Sequence, residues 1–213
     1  ELMEYDIFDL PQSEIQERMK QDSEKIKEGI NRIANIVESM REMSQSSKEI
    51  KEETNIYATL ITSLTMAYNR SRQVSKIYLN GKLFDMDSIN KNEYIYLCKV
   101  QKQRMEQVWI IVINNALDEL IKIDNYEDRI LNINIFEDNN EIIIKFKDTA
   151  GGINKEIISD IFEPFISSKL HSGMGVGLNI AKKIVDEQDG KIRAYNEDSG
   201  AVFEIRLQKC EEE

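Results

Sequence analysis

Residues 130–147 leave the backbone little choice. Leu131, Ile133 and Ile135 fall on one side of a first run, Ile142, Ile144 and Phe146 on one side of a second, and Asp138-Asn139-Asn140 separates them. Alternation with a period of two on both sides of a turn-forming triplet is the pattern of paired strands, and only an antiparallel hairpin joins two strands over so short a connection. Residues 76–79 and 82–84 flank an Asn80-Gly81 turn in the same way, and 94–100, 191–195 and 201–207 also read as strands. Asn55-Ile56-Tyr57 reads as a further short strand. Helical spacing appears at Leu60, Ile61, Leu64 and Tyr68, across the apolar segment 103–121, in a short piece near 153–161, and over 176–188. Helices and strands alternate irregularly and the hairpins demand antiparallel pairs. An α+β fold, a two-layer sandwich of a mixed β-sheet with helices on one face, fits this order better than a doubly wound parallel sheet.

A different pattern precedes that domain. Over residues 13–45 Met19, Ile26, Ile30, Ile33, Val37 and Met40 recur at steps of three, four or seven in a highly charged segment. Such a seam suits one helix of a bundle, since its polar face is too broad for burial in a single globular core. Tyr5 to Pro11 reads as the turn into this helix, and 44–53 as a polar linker out of it. The chain therefore divides into a helical segment, residues 1–50, and a larger domain, residues 51–213.

Thirty-nine acidic against 28 basic residues give a net charge of -11 with no local basic patch, which argues against nucleic acid as a partner. No apolar run approaches the ~20 residues of a membrane span; the longest, Val108 to Ile113, suits a buried helix. Cys98 and Cys210 stand without a metal-site or disulfide pattern, as expected in a reducing compartment.

Four segments carry residue types suited to chemistry. Gly173-Met174-Gly175-Val176-Gly177-Leu178 runs into a helical pattern, and glycines there would let backbone N–H groups approach an anion at the helix start. Taken alone, the run serves equally as an ordinary turn. Asn115 ends a nearly all-apolar run, with Asp118 and Glu119 on the same helical face, so its amide is either locally satisfied or an oxygen ligand for Mg²⁺. Asp148 ends a strand before Thr149-Ala150-Gly151-Gly152-Ile153, where a carboxylate beside small residues either caps a turn or accepts hydrogen bonds from a flat ligand. Ile161-Phe162-Glu163-Pro164-Phe165 places two aromatics around a proline, followed by Ser167, Ser168, Lys169 and His171.

In this order the segments resemble the nucleotide-binding boxes of sensor histidine kinases and their relatives among the DNA gyrase, heat-shock chaperone and mismatch-repair ATPases, which share the Bergerat fold. Residues 107–120 (QVWIIVINNALDEL) look like the N box, 148–153 (DTAGGI) the first glycine box, 161–169 (IFEPFISSK) the aromatic box with its lysine, and 173–178 (GMGVGL) the second glycine box. Gly200-Ala201-Val202-Phe203 looks like the last glycine motif, and the likeness spans roughly residues 54–208.

The resemblance implies that Asn115 binds the Mg²⁺ that bridges the ATP phosphates and that Asp148 hydrogen-bonds the adenine amino group. Gly152 would leave room for the base, Phe162 and Phe165 would anchor a short lid, and Lys169 would approach the phosphates lined by Gly173, Gly175 and Gly177. Asp118, Glu119, Ala150, Ile153, Val176 and Leu178 belong to the same boxes and count among the nucleotide-binding positions. Asn115 and Lys169 are the residues expected to act on the transferring group.

One position departs from the pattern. Ile111 stands one helical turn before Asn115, where the kinases usually carry a second asparagine and the hydrolytic relatives a glutamate that activates water. The acceptor is a second departure. The single histidine, His171, lies in the lid and lacks the helical context of a phosphoacceptor. Residues 13–45 resemble the second helix of a dimerisation hairpin, so the acceptor histidine is expected upstream of Glu1. The resemblance further implies a homodimer through that hairpin, a response regulator receiver domain as phosphoryl recipient, and a cytoplasmic location, with no membrane contact in this chain. A nucleotide-binding pseudokinase or interaction module, and an ATPase of the gyrase or chaperone type, are the alternatives.

Overall fold

The computed structural model describes residues 12–44, 50–166 and 175–210, which fall into two compact units, residues 1–46 and 47–213. The first is a single helix, α1 (Gln12–Ser44), 33 residues long with Glu14 in its first turn, where a carboxylate complements the helix dipole. Met19, Ile26 and Ile30 are 67, 64 and 61 % exposed, so this part of the expected seam lies bare within a single chain. The turn expected at Tyr5 to Pro11 lies outside the described residues.

The second unit begins with β1 (Glu52–Asn55), which runs directly into α2 (Ile56–Val74). Asn55 makes the junction. Its side-chain oxygen accepts from the N–H of Tyr57 at 3.2 Å and of Tyr96 at 3.1 Å, while its amide donates to the Tyr94 carbonyl at 3.0 Å. Asparagine is among the best N-caps, so the chain turns helical here and Ile56 and Tyr57 bury their side chains from the first turn of a helix. The strand expected at Asn55-Ile56-Tyr57 is thus displaced towards the amino terminus.

β2 (Lys76–Leu79) and β3 (Lys82–Leu83) form the expected hairpin, with Asn80 and Gly81 both at positive φ, 47° and 77°, as a type I′ turn requires. β4 (Leu97–Val100) is shorter than the expected 94–100 and pairs with β1 in a separate two-stranded sheet. Tyr94 and Tyr96 stand before it as a stacked pair clasped by Asn55. Then follow α3 (Lys102–Leu120), β5 (Ile130–Asp138), β6 (Glu141–Asp148), α4 (Gly177–Glu187), β7 (Lys191–Glu197) and β8 (Gly200–Gln208).

The main sheet has six strands in the order β3-β2-β5-β6-β8-β7; β2 and β5 are parallel and all other neighbours antiparallel. Its register aligns Ile133, Phe146 and Phe203 in one row and Ile135, Ile144 and Ile205 in the next, all buried. α3 packs on β5 and β6, flanked by α2 over β2 and α4 over β7. Trp109 of α3 is fully buried, stacks on Phe146 at 5.9 Å between ring centroids, and donates its indole N–H to Thr59 Oγ1 at 2.9 Å. That bond satisfies the one polar group of a large apolar anchor and ties α3 to α2. The opposite face of the sheet carries Lys145, Lys147, Arg193, Glu204 and Arg206. This is the expected α+β sandwich, with a mixed sheet and its helices on one face.

No helix forms near 153–161. Residues 155–160 are successive turns in which the Asn154 carbonyl accepts from Ile157 and Ile158 and the Asn154 side chain accepts from Glu156. The Asn154 side chain, by accepting the Glu156 N–H, offers this backbone a local alternative to a helix. Cys98 and Cys210 are both free, and burial pushes the Cys98 thiol up to about 12. Among the described residues no helix is long and apolar enough to cross a membrane.

Candidate functional site

The end of β6 supplies the first component. Asp148 is 4 % exposed, and its Oδ1 accepts from the backbone N–H of Ala150 at 2.9 Å and of Ala201 at 3.2 Å. Burial raises its carboxyl above the usual aspartate range; the two N–H groups act against that rise and the charge of Glu119 adds to it. Both bonds fall on one oxygen. The other is the one left to a ligand donor.

The loop after Asp148 is held from three sides. Thr149 Oγ1 accepts from the Ile130 N–H at 3.0 Å and donates to the Asp128 carbonyl at 2.6 Å, and the Gly151 N–H donates to the Ser199 carbonyl at 2.8 Å. Asn196 clamps Ile153, accepting its N–H at 2.7 Å and donating to its carbonyl at 2.8 Å. Gly152 lies at φ 86°, and a Cβ there would come within 2.8 Å of Asn196 Oδ1. A side chain at 152 would therefore break the clamp as well as strain the backbone. Ala150 and Gly152 thus form a small-residue floor beside Asp148, fixed by the clamp on the Ile153 backbone.

α3 supplies the second component. Asn115 is half-buried, and its side chain makes no hydrogen bond among the described residues. Its neighbour Asn114 accepts from Arg70 of α2 at 2.5 Å through Nη1, and Asp118, one turn on, accepts from Nη2 of the same guanidinium. Glu119 accepts from Lys122 at 2.5 Å. The departure at 111 has a structural counterpart: the Ile111 side chain lies against the first residue of α4, 3.4 Å from where a Cβ of Gly177 would stand.

The third component is the base of the loop before α4. Phe162 packs edge-on against Phe203 at 6.4 Å, and its carbonyl accepts from Asn179 at 2.9 Å, so it is anchored to sheet and helix together. Phe165 is 70 % exposed and sits at φ 68°; its N–H, not its ring, does the holding, by donating to the Gly175 carbonyl at 2.9 Å. Gly175 lies at φ 64°, with a hypothetical Cβ only 2.3 Å from the Ile166 carbonyl oxygen. Val176 is buried, and no side chain caps α4, whose first residues are Gly177 and Leu178. The backbone N–H groups of that first turn are those an anion would meet. Lys169 and Gly173, with Ser167, Ser168 and His171, lie outside the described residues.

A sequence model of the histidine kinase-, DNA gyrase B- and HSP90-like ATPases matches residues 101–211, a little over half of the chain. The chain belongs to that ATPase family. Among curated relatives, the C4-dicarboxylate transport sensor protein DctB of Rhizobium meliloti is 34 % identical over 107 residues, which is 50 % of this chain and 17 % of DctB. The sensor protein KdpD of Clostridium acetobutylicum is 28 % identical over 141 residues, 63 % of this chain and 15 % of KdpD. The chain thus spans less than a fifth of either relative. Among solved structures, the catalytic domain of the histidine kinase ThkA aligns with 76 % of this chain and 97 % of its own at a TM-score of 0.61 and 21 % identity. ThkA in complex with the response regulator protein TrrA aligns with 95 % of this chain and 53 % of its own, at a TM-score of 0.67 and 22 % identity. At such identity these two share the fold of this member of the ATPase family. The matched segment contains α3 with Asn115, the Asp148 loop and the start of α4, so the family signature and the three structural components coincide.

Three contributors were not evident from the sequence. Asn196 and Arg70 act on partners 43 to 48 residues away, and Thr149 ties the Asp148 loop to the start of β5. Only Gly200, in its glycine motif, signalled the approach of β8 to Asp148.

Proposed function

We propose that residues 51–213 form the ATP-binding catalytic core of a sensor histidine kinase. The observation that carries this reading is Asp148: a buried carboxylate with one oxygen fixed by two backbone N–H groups and the other left to a donor, above a floor kept free of side chains by Gly152. An adenine amino group matches that acceptor, and a flat base matches that floor. The same glycines exclude bulk that a bound base could not share.

Asn115 would hold Mg²⁺ through its amide oxygen. No group of three or more His, Cys, Asp or Glu side chains among the described residues could cage a metal ion, which suits Mg²⁺, since it keeps waters and takes phosphate oxygens as its other ligands. When bound, Mg-ATP supplies a γ-phosphoryl group for in-line transfer with its charge partly neutralised by the metal. The chain's own work would be to position and to neutralise: Asp148 would fix the base, Lys169 with Gly173, Gly175 and Gly177 would offset phosphate charge, and Phe162 would anchor the start of the segment that carries them.

The acceptor histidine would come from a helix outside this chain, and a response regulator aspartate would receive the group from it. α1 would pair in a helical bundle with a second copy, and the setting would be the cytoplasm, where ATP is available. The names of DctB and KdpD as sensor proteins and the ThkA complex with a response regulator support this assignment. Ile111 favours a second reading, a nucleotide-binding module without transfer, because isoleucine supplies neither a metal ligand nor a general base.

Calorimetric titration of the full chain with Mg-ATP, followed by γ-labelled ATP in the presence of a supplied histidine-bearing hairpin, separates these. Binding with label on the hairpin histidine supports the kinase. Binding without label supports the second reading, steady phosphate release with no labelled protein points to an ATPase, and no binding overturns all three.

A further inference from the structure

Resting on the nucleotide reading, one electrostatic difficulty remains. Asp118 and Glu119 follow Asn115 by three and four positions on α3, and Asp148 lies close enough to feel the Glu119 charge. In a chain of net charge -11, a polyphosphate brought to Asn115 meets carboxylates on the same face of the helix. Such a site binds anions only if the nearby carboxylates are neutralised.

The structure supplies the means. Arg70 of α2 reaches across to α3 with both arms of its guanidinium, Nη1 on Asn114 at 2.5 Å and Nη2 on Asp118. Arg70 and Asp118 remain 44 and 38 % exposed, so the pair is open to solvent and contributes little to folding. Lys122, just past the end of α3, plays the corresponding part for Glu119, at 2.5 Å. The two cations differ in reach. Lys122 is a neighbour in sequence, whereas Arg70 is carried 44 residues from Asn114 and 48 from Asp118 and delivers a two-armed fork to them.

We propose that Arg70 is a positioning residue of the nucleotide site, which masks the Asp118 carboxylate and fixes Asn114 so that the adjoining Asn115 face accepts polyphosphate. It acts through Asp118 and not by touching the nucleotide. Its effect therefore scales with ligand charge and disappears when Asp118 is made neutral.

The test uses the full chain and measures equilibrium affinities for adenosine, ADP and ATP with Mg²⁺ at two ionic strengths, for wild type, Arg70→Met, Arg70→Lys, Asp118→Asn and the Arg70→Met/Asp118→Asn pair. Arg70→Met is expected to weaken ATP about tenfold and ADP less, to leave adenosine unchanged, and to lose most of its effect in high salt. Arg70→Lys keeps the charge and retains most of the affinity. The double variant binds ATP within about twofold of Asp118→Asn alone, since a masked charge that is absent needs no mask. Equal weakening of adenosine and ATP by Arg70→Met would make Arg70 a mere strut and overturn the proposal. So would a double variant that stays as weak as Arg70→Met, which would mean direct contact with phosphate. If wild type binds adenosine and no phosphorylated form, the masking idea fails while an adenine pocket stands; if it binds none of the three, the nucleotide reading itself has failed and takes the proposal with it.

Discussion

A Cβ on Gly200 would stand 1.7 Å from the carbonyl oxygen of Asp148. β8 starts so close to the end of β6 that only a hydrogen fits between them, and the next residue, Ala201, uses that closeness to donate its N–H to Asp148 Oδ1 at 3.2 Å. Gly200→Ala must push the strands apart just where the carboxylate is held. The substitution is expected to cost about 1–3 kcal/mol, the range for overpacking a fixed interior, and to abolish nucleotide binding at temperatures where the protein is still folded. Denaturant titration with an unchanged slope, beside calorimetry with ATP, checks both parts; wild-type affinity in the variant would show that the Asp148 geometry is not what binds.

Asp148→Asn separates function from stability. Burial raises the Asp148 carboxyl above its ordinary 3.8, so the folded state holds a proton more tightly than the unfolded one. Stability from this group is full below the unfolded value and is lost as pH rises through the folded value. Asparagine keeps an oxygen for the Ala150 and Ala201 N–H groups and removes the buried charge. The variant should therefore melt higher than wild type at pH 7, with the gap closing as pH falls through the raised folded value and gone below about 4, while its amide N–H₂ faces a ligand donor and ATP binding is lost. A variant that melts lower at neutral pH would contradict the burial argument.

Glu204 on the far face of the sheet behaves in the opposite sense. Burial alone would raise its carboxyl, but Arg193 and Arg206, with Tyr195, donate to it at 2.7 to 3.1 Å and bring it from 4.5 down to about 2. Here the contribution is present above the unfolded value and is lost as pH falls through the folded one. Glu204→Gln should destabilise the protein at pH 7, and the difference from wild type should shrink between about pH 4.5 and 2. Nucleotide affinity should not change, since the network lies on the face opposite the helices. Urea denaturation across that pH range reads the first effect and calorimetry the second.

The elements legible in the sequence were those whose side chains report a local rule. The 130–148 hairpin was readable because alternation fixes both strand and register, and α3 because a long apolar run between polar ends leaves only burial. Asn115, Asp148, Gly152 and Gly175 stood out because an amide among hydrophobes, a carboxylate at a strand end and glycines before a helix each break the local rule. Ile56 and Tyr57 misled because two strand-favouring residues outweighed Asn55, whose capping role becomes visible only when Tyr94 and Tyr96 close on it. The exposed ring of Phe165 was equally hidden, since it depends on where Gly175 meets Ile166 across the loop. Asn196 and Arg70 are ordinary surface residue types in sequence, and their significance is wholly tertiary.

Gly175→Ala isolates the base of that loop. At φ 64° an alanine is strained, and its Cβ would meet the Ile166 carbonyl at 2.3 Å, so the Phe165 N–H to Gly175 bond must open. Neither Phe165 nor Gly175 belongs to the core, and the melting temperature should fall by no more than a few degrees. ATP should bind at least tenfold more weakly while adenosine binds almost as before, because the damage lies at the phosphate end of the site and not at Asp148. Equal loss of both ligands would mean that the loop base supports the whole pocket, and no loss of either would remove the α4 entrance from the site.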